Sequence, residues 1–253
     1  MKLFIKISYV GTAYCGYQVQ PNRETVQEKL NEAARALFGF DCDIVGCSRT
    51  DSGVHANAFC ATVSKKGTES LKTEIELDRI PLALSAYLPR DICVFDAKWV
   101  DEGFHPRYDV KEKEYLYRIY NRAIRDPFEE NRSFHVPKHI DDDGIARMNA
   151  AAKTLCGTQD FAAYMAQGSK ICDTVRTVTY AEVVRKDDLI LFRVAANGFL
   201  YHMVRILAGT LLLVGQGKLT VEDVQKITAS RDRKQAGATL PACGLYLNKV
   251  LYK

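Results

Sequence analysis

The chain has 253 residues, of which 47% are hydrophobic and 26% are charged, a composition typical of a globular protein with a sizeable core. Its formal net charge of +4 is mildly basic, which is compatible with a polyanionic partner but does not by itself indicate one. The 8 cysteines include no Cys-x-x-Cys pair and the 5 histidines lack zinc-ligand spacing, so the pattern argues against a disulfide framework and a zinc site and favours free thiols.

Residues up to about 100 predict six elements in the order strand, helix, strand, strand, helix, strand. The opening stretch LFIKISYV alternates like a half-buried strand, and the first helix begins at the capping pattern of Thr25 and Glu28 and ends at Gly39. In the last of these strands, ICVFDAKWV, the alternation places on one face Cys93, Phe95, Ala97 and Trp99. This order is typical of the split β-α-β, or ferredoxin-like, domain.

A charged stretch containing Gly103 and Pro106 then marks a domain boundary, which predicts an N-terminal α+β domain over 1–104 and a C-terminal α+β domain over 105–253. The second half repeats a similar order. It predicts a tyrosine-rich strand, a helix, a hairpin around Asp187, an apolar helix over 199–214, a short helix and a final strand. The fold class is therefore α+β, with two ferredoxin-like halves and mainly antiparallel sheets.

The connection GCSRTDSGVHA, residues 46–56, carries unusual chemistry for a turn between two strands. It contains Arg49, Asp51 and His55 and almost no apolar side chain. One interpretation is structural, because turn aspartates commonly bond nearby backbone N–H groups. The other is a carboxylate nucleophile or base on a loop, where functional residues concentrate.

Two further side chains have a structural and a functional interpretation. Tyr115, on the strand KEYLYRIYN, either packs in a core or stacks on a base. Arg205 lies within the apolar helix, where an arginine needs an acidic or anionic partner. It forms either a structural ion pair or an ion pair that holds Asp51 in its ionised form. His202 and Gly209 flank it at about one helical turn, so we expect the face of the helix that carries Arg205 to be polar.

Four segments, GCSRTDSGVHA, KEYLYRIYN, NGFLYHMVRILAG and PACGLYL, together resemble the TruA family of tRNA pseudouridine synthases, in the family's order and over essentially the whole chain. The motif R-T-D-x-G-V-H is specific to that family, since other pseudouridine synthases place a leucine before the aspartate. Cys47, Ser48 and Ser52 depart from the usual residues but remove no functional group. In PACGLYL, Gly244 is expected to let the backbone approach closely before the last strand.

The resemblance implies an isomerase that converts uridine to pseudouridine in the anticodon stem-loop of tRNA, by similarity at positions 38, 39 and 40. Asp51 would be the catalytic nucleophile and Arg205 its ion-pair partner. Three routes stay open for the carboxylate, which could add to the uracil ring, attack the sugar or deprotonate it. Tyr115 would stack on the target base and could transfer a proton, and Arg49 would lie beside the target nucleotide. The reaction gains and loses no atoms, so no cofactor and no metal are expected.

The resemblance also implies the pseudouridine synthase fold, with the two halves joined around a central cleft, and a homodimer that binds tRNA. We expect a cytoplasmic protein without a membrane span, because the opening residues lack a signal-peptide pattern and the apolar helix is too short and too charged to cross a bilayer. Two rivals are a non-catalytic RNA-binding module, which explains the tyrosines but not Asp51 and Arg205, and a small-molecule enzyme, which lacks a cofactor fingerprint.

Overall fold

The computed structural model describes residues 1–168 and 171–253, which form two compact units. The first unit contains Met1–Lys111 and Leu247–Lys253, and the second contains Glu112–Tyr246. The chain therefore leaves the first unit after Lys111 and returns to it at Leu247. The boundary between 104 and 105 stays a prediction about folding domains.

The first unit is an antiparallel sheet covered by helices, in the predicted order of elements. These elements are β1 Lys2–Tyr9, α1 Val26–Phe38, β2 Cys42–Gly46, β3 His55–Lys65, α2 Ile80–Tyr87 and β4 Ile92–Val100. The strands follow the order β4-β1-β3, and β2 pairs with the C-terminal half of β3. The last strand, β10 (Leu245–Tyr252), also lies beside β3, where Asn57 donates a side-chain hydrogen bond to Asn248 at 2.8 Å. This arrangement confirms the predicted β-α-β-β-α-β order.

Helix α1 is bounded by the residues that the sequence indicated. The Thr25 hydroxyl accepts a hydrogen bond from the Glu28 backbone N–H, and Gly39 ends the helix in the left-handed region at φ 77°. On the apolar face, Val26 and Leu30 are buried, with 0% and 1% of their surface exposed. Burial of this face and of the matching strand residues provides the core of the first unit.

A β-bulge in β4 overturns the predicted alternation of that strand. Val94 pairs with Ile7, whereas Asp96 pairs with Lys6, so Phe95 is an extra residue opposite β1. The bulge reverses the alternation, so Cys93 and Trp99 lie on opposite faces of the sheet rather than on one. The prediction was wrong because a period-two pattern contains no signal for an inserted residue.

The second unit contains five strands and three α-helices among its described residues. They are β5 Val110–Tyr120, β6 Phe134–His135, α3 Asp142–Thr154, β7 Gly157–Asp160, β8 Val175–Lys186, β9 Leu189–Ala196, α4 Met203–Gly215 and α5 Val221–Ser230. The strands follow the order β5-β9-β8-β7 with antiparallel pairing, and β6 runs parallel to β5. The hairpin around Asp187 is confirmed, with that residue at φ 53°. The α+β class and the mainly antiparallel sheets are therefore confirmed in both units.

Helix α4 begins at Met203, four residues later than the predicted start at 199. His202 precedes it as the N-cap in a left-handed conformation, with φ 58°, and breaks the helical path of the chain. The apolar pattern predicted the buried helix correctly. It could not locate the start, because Phe199 and Leu200 pack as apolar residues without being helical.

All 8 cysteines lie within the described residues and are free thiols, as predicted. Burial raises the pKa of Cys42 to about 11 and that of Cys60 to about 12, so both are protonated at neutral pH. Within 1–168 and 171–253, no helix has the length and apolarity that a membrane crossing requires.

Two buried tyrosines next to helix α1 provide a matched test of core energetics. Tyr17, 2% exposed, stacks on Phe59 at 4.1 Å, and its hydroxyl has no hydrogen-bond partner among the described residues. Tyr14, 4% exposed, donates from its hydroxyl to Asp91 at 2.6 Å. We therefore expect Tyr17→Phe to raise the free energy of unfolding by about 1 kcal/mol, because it removes an unsatisfied polar group.

The control, Tyr14→Phe, deletes the same atom but breaks a bond to a charged acceptor and should lower that free energy by roughly 1.5–3 kcal/mol. Urea unfolding of the two variants beside the parent protein measures both changes. A Tyr17→Phe protein as destabilised as Tyr14→Phe would show that the Tyr17 hydroxyl has a stabilising role.

Candidate active site

The aspartate loop, defined as residues 47–54, connects the antiparallel strands β2 and β3 in the first unit. It rests on the segment that follows β1, residues 9–17, which we call the supporting segment. The Tyr17 N–H donates to the Thr50 carbonyl at 3.3 Å, and the Gly53 N–H donates to the Tyr14 carbonyl at 3.3 Å. Ser52 adds a hydroxyl bond to the same Tyr14 carbonyl. The loop is therefore held along its length by backbone atoms of one neighbouring segment.

Two glycines allow the supporting segment to approach the aspartate loop this closely. A Cβ atom on Gly11 would lie 2.0 Å from the Val54 carbonyl oxygen, and one on Gly16 would lie 2.5 Å from the Thr50 carbonyl oxygen. Gly16 also has a φ of +87°, which favours glycine. The two segments are consequently in direct backbone contact, with no room for side chains between them.

Two side-chain hydrogen bonds hold the chain on either side of Asp51. Before it, the Tyr9 hydroxyl and the Thr50 hydroxyl lie 2.8 Å apart. After it, the Gly11 N–H donates to Nδ1 of His55, the first residue of β3, at 2.9 Å. All of these side chains are buried, with His55 only 1% exposed.

The structure places two of the predicted site residues together on the aspartate loop. Asp51 is half-buried and Arg49 is exposed, and the buried Thr50 lies between them in the chain. A turn bond from the Val54 N–H to the Asp51 carbonyl, at 3.2 Å, orders the backbone beyond the aspartate. The loop thus presents a carboxylate and a guanidinium from a hydrogen-bonded turn.

Tyr115 lies on β5 in the second unit and is 7% exposed. The ring of Phe199 meets it edge to face, with centroids 5.0 Å apart and planes at 83°. This burial and ring contact agree with the core-packing interpretation, and the base-stacking interpretation stays a prediction.

Arg205 lies in the first turn of α4 and is half-buried. Its Nε donates to the Leu240 carbonyl at 2.7 Å, and the Leu240 N–H donates back to the Arg205 carbonyl at 3.3 Å. The Nε bond orients the guanidinium. Burial raises the pKa of the nearby Cys243 thiol in the chain segment that follows Leu240.

The prediction that His202 and Gly209 make this face of the helix polar was wrong. His202 precedes the helix, and Gly209 packs against backbone, since a Cβ on it would lie 2.1 Å from the Ala238 carbonyl oxygen. The Gly237 N–H also donates to the Thr210 hydroxyl at 2.9 Å. The segment over 237–240 therefore covers this face of α4.

The close approach predicted at Gly244 is confirmed. A Cβ on this residue would lie 2.7 Å from the ring of Tyr117 and 2.8 Å from the Arg118 carbonyl oxygen, both on β5. The Tyr117 hydroxyl donates to the Pro241 carbonyl at 2.7 Å and orders the preceding residues. This turn leads the chain directly from the second unit into β10.

Three residues of this site were given no role in it by the sequence interpretation. Tyr9 and Phe199 gave no signal beyond apolar patterning, because their contacts join distant segments. His55 lies within the motif, but the motif alone does not show what its ring contacts. The site therefore contains more supporting residues than pattern analysis identified.

Comparison with known proteins places these features in a family. The model of a family described as tRNA pseudouridine synthase matches residues 5–109 and 151–253. The chain belongs to the tRNA pseudouridine synthase family. Arg49 and Asp51 lie in the first matched range and Arg205 lies in the second, whereas Tyr115 falls between them. The resemblance found in the motifs is confirmed.

Relatives in this family match over nearly their full length. The chain is 42% identical over 250 residues to tRNA pseudouridine synthase A of Thermoanaerobacter sp. (strain X514), with 99% of each chain covered. It is 40% identical over 245 residues to tRNA pseudouridine synthase A of Halalkalibacterium halodurans, covering 96% of this chain and 90% of the relative. A solved structure titled "Crystal Structure of a Cbf5-Nop10-Gar1 Complex" aligns with a TM-score of 0.39 at 11% identity, over 96% of this chain and 57% of that one.

Proposed function

We propose that this chain isomerises uridine to pseudouridine in the anticodon stem-loop of tRNA, by similarity at positions 38, 39 and 40. The observation that carries the proposal is the match to relatives named tRNA pseudouridine synthase A over almost the entire chain. In this isomerisation the bond from the sugar C1′ to uracil N1 breaks, a bond from C1′ to C5 forms, and the C5 proton is lost while N1 gains one. The reaction is balanced within the substrate and needs only acid–base or nucleophilic groups.

Asp51 is the catalytic nucleophile in this proposal. Its support is the position of the carboxylate, half-buried on a hydrogen-bonded loop between two strands. A carboxylate can form a covalent bond to the substrate that splits one difficult step into two easier ones, or can remove a proton. Addition to the ring, attack on the sugar and deprotonation of the sugar all use the same group at the same place.

Arg205 is proposed to pair with Asp51 and hold it in the ionised form. The Nε bond to the Leu240 carbonyl orients the guanidinium, so its two terminal nitrogens would present a planar fork suited to a carboxylate. A cation in a partly buried site favours the charged aspartate, which is the reactive form. This role gives a reason for the energetic cost of an arginine on an apolar helix.

Tyr115 and Arg49 are proposed to contact the target nucleotide. The contact with Phe199 orders the Tyr115 ring, and an aromatic ring is a surface on which a base can stack. Arg49 is exposed two residues before Asp51 and would contact the backbone of a nucleotide flipped from its stack. The mild positive charge of the chain agrees with a tRNA grip made mainly through phosphates.

The first functional prediction concerns Asp51→Asn, which keeps size and shape but removes the charge. We expect pseudouridine formation to fall by roughly 10³-fold or more, the scale of losing a group that takes part in bond making. The affinity for tRNA should hold or increase, because a negative charge is removed from a site for a polyanion. Release of C5 tritium from labelled tRNA measures the rate.

The matched control is Asp41→Asn, which alters an exposed aspartate of the same unit. That protein should turn over like the parent. Substantial turnover by Asp51→Asn would exclude the carboxylate from the reaction. Binding without turnover by the unaltered protein would instead favour the rival function, a non-catalytic RNA-binding module.

The second prediction separates an ion-pair role for Arg205 from a phosphate contact. Arg205→Lys keeps the charge but loses the planar fork, so the single-turnover rate should fall by about 10²-fold while tRNA affinity changes little. The dependence of affinity on salt should stay the same. A phosphate-contacting arginine would behave oppositely, with weaker binding and a salt slope reduced by roughly one unit.

A homodimer in the cytoplasm completes the proposal, and it rests on the resemblance to the family. We expect sedimentation equilibrium to yield twice the chain mass of 28.4 kDa at micromolar concentration. A mass that stays at that of one chain up to high concentration would contradict the dimer. That result would leave the proposed reaction untouched, because the two measurements are independent.

A further inference from the structure

We propose that Tyr9 and His55 are positioning residues that hold Asp51 in its reactive place, an inference that rests on the proposed catalytic role of Asp51. Thr50 directly precedes Asp51 in the chain and bonds the Tyr9 hydroxyl at 2.8 Å. His55 follows four residues after the aspartate and accepts the Gly11 N–H at 2.9 Å. The two bonds therefore grip the aspartate loop on either side of its carboxylate.

Both bonds attach to one rigid place in the fold. Tyr9 is the last residue of β1, and Gly11 follows it after a single residue. Strand β1 lies between β3 and β4 in the sheet of the first unit, so it is paired along both edges. Core strands are the parts of a protein whose opening costs a free energy close to that of global unfolding. The aspartate loop is thus tied to the end of a central strand and to the residue two positions beyond it.

The bond to Gly11 determines the protonation state of the histidine. An imidazole nitrogen that accepts an N–H bond carries no proton, so the proton of a neutral ring lies on Nε2. A doubly protonated ring cannot accept at Nδ1 and would leave the Gly11 N–H without its acceptor. In this contact His55 is a neutral hydrogen-bond acceptor. What the contact requires is an acceptor atom at the position of Nδ1, which a residue other than histidine could also supply.

Close backbone contact transmits any movement of the supporting segment to the aspartate. Gly11 and Gly16 bring the backbone of this segment against the carbonyl oxygens of Val54 and Thr50. Close-packed atoms have no slack to absorb a displacement. Loss of the Tyr9 or His55 bond should therefore shift the carboxylate itself.

Burial indicates that both residues act through Asp51 and not on the substrate directly. Tyr9 is 4% exposed and His55 is 1% exposed, and their polar atoms are bonded to Thr50 and to the Gly11 N–H. A misplacement of about 1 Å can lower a rate by roughly 10²-fold without altering contacts elsewhere. The expected signature is a slower chemical step at unchanged affinity.

The experiment compares two substitutions of nearly equal size. His55→Asn keeps an acceptor oxygen close to the position of Nδ1, whereas His55→Leu removes it. Single-turnover rates at saturating tRNA, tRNA affinity and thermal unfolding are measured for both. We expect the single-turnover rate of His55→Leu to be about 100-fold below that of the parent protein. The rate of His55→Asn should be at least about tenfold higher than that of His55→Leu. The tRNA affinities of both variants should stay within about twofold of the parent protein. Tyr9→Phe, which lacks the hydroxyl, should be about fivefold slower, the effect of one hydrogen bond.

Equal rates for His55→Asn and His55→Leu would overturn the acceptor role, and a parental rate for Tyr9→Phe would overturn the role of its hydroxyl. If His55→Leu does not fold, the rate of a folded Tyr9→Phe protein still tests the proposal. An unchanged rate would show that the hydrogen bond between Tyr9 and Thr50 does not position Asp51. Asp51→Asn is measured in parallel. Turnover by that variant rejects the proposed function, whereas an inactive Asp51→Asn beside a fully active His55→Leu rejects the positioning role alone.

Discussion

Backbone contact between the supporting segment and the aspartate loop is the constraint on which the candidate site depends. Carbonyl oxygens of the loop lie where any side chain at Gly11 or Gly16 would have to be. Backbone N–H groups bond the two segments together, and buried side chains add one hydrogen bond on either side of Asp51. A polar loop between two strands would otherwise be among the more mobile parts of a protein. Here hydrogen bonds connect the end of the central strand β1 to the residue before Asp51, and the catalytic role proposed for that carboxylate would require placement to within a fraction of an ångström.

The second unit meets a different requirement, which is to keep a cation on an apolar helix. The residues over 237–240 cover that face of α4 and take the Nε of Arg205. This partial satisfaction reduces the cost of burying a guanidinium, because each buried donor with an acceptor avoids a desolvation penalty. It also restricts the side chain to one orientation. An arginine held in this way is prepared for a planar anion, and the entropy of ordering it is lost during folding and not during binding.

The sequence predicted the class of fold and the location of the chemistry better than it predicted their details. Alternation and capping patterns identified β1, α1, the β2–β3 connection and the hairpin at Asp187, because those signals are local. The bulge at Phe95 and the start of α4 were missed because each depends on pairing or packing with residues far along the chain. The short strands β6 and β7 are too brief to show a period. Asp51 and Arg49 were accessible through a contiguous motif, whereas the grip of Tyr9 on Thr50 joins residues 41 positions apart and leaves no mark in either segment.

The membership of Leu247–Lys253 in the first unit has a consequence for how the protein is made. These residues supply the strand beside β3, and Tyr252 packs edge to face on Phe4 at 5.4 Å. During translation the N-terminal residues emerge first, yet their sheet lacks one strand and part of its aromatic core until the second unit has been synthesised. The nascent first unit would therefore expose an unpaired strand edge on the ribosome, a surface that chaperones recognise and that other chains can pair with. Completion of the unit that carries the aspartate is thus coupled to residues synthesised after the second unit, and a product that stops before Leu247 would retain the motif without a finished fold around it.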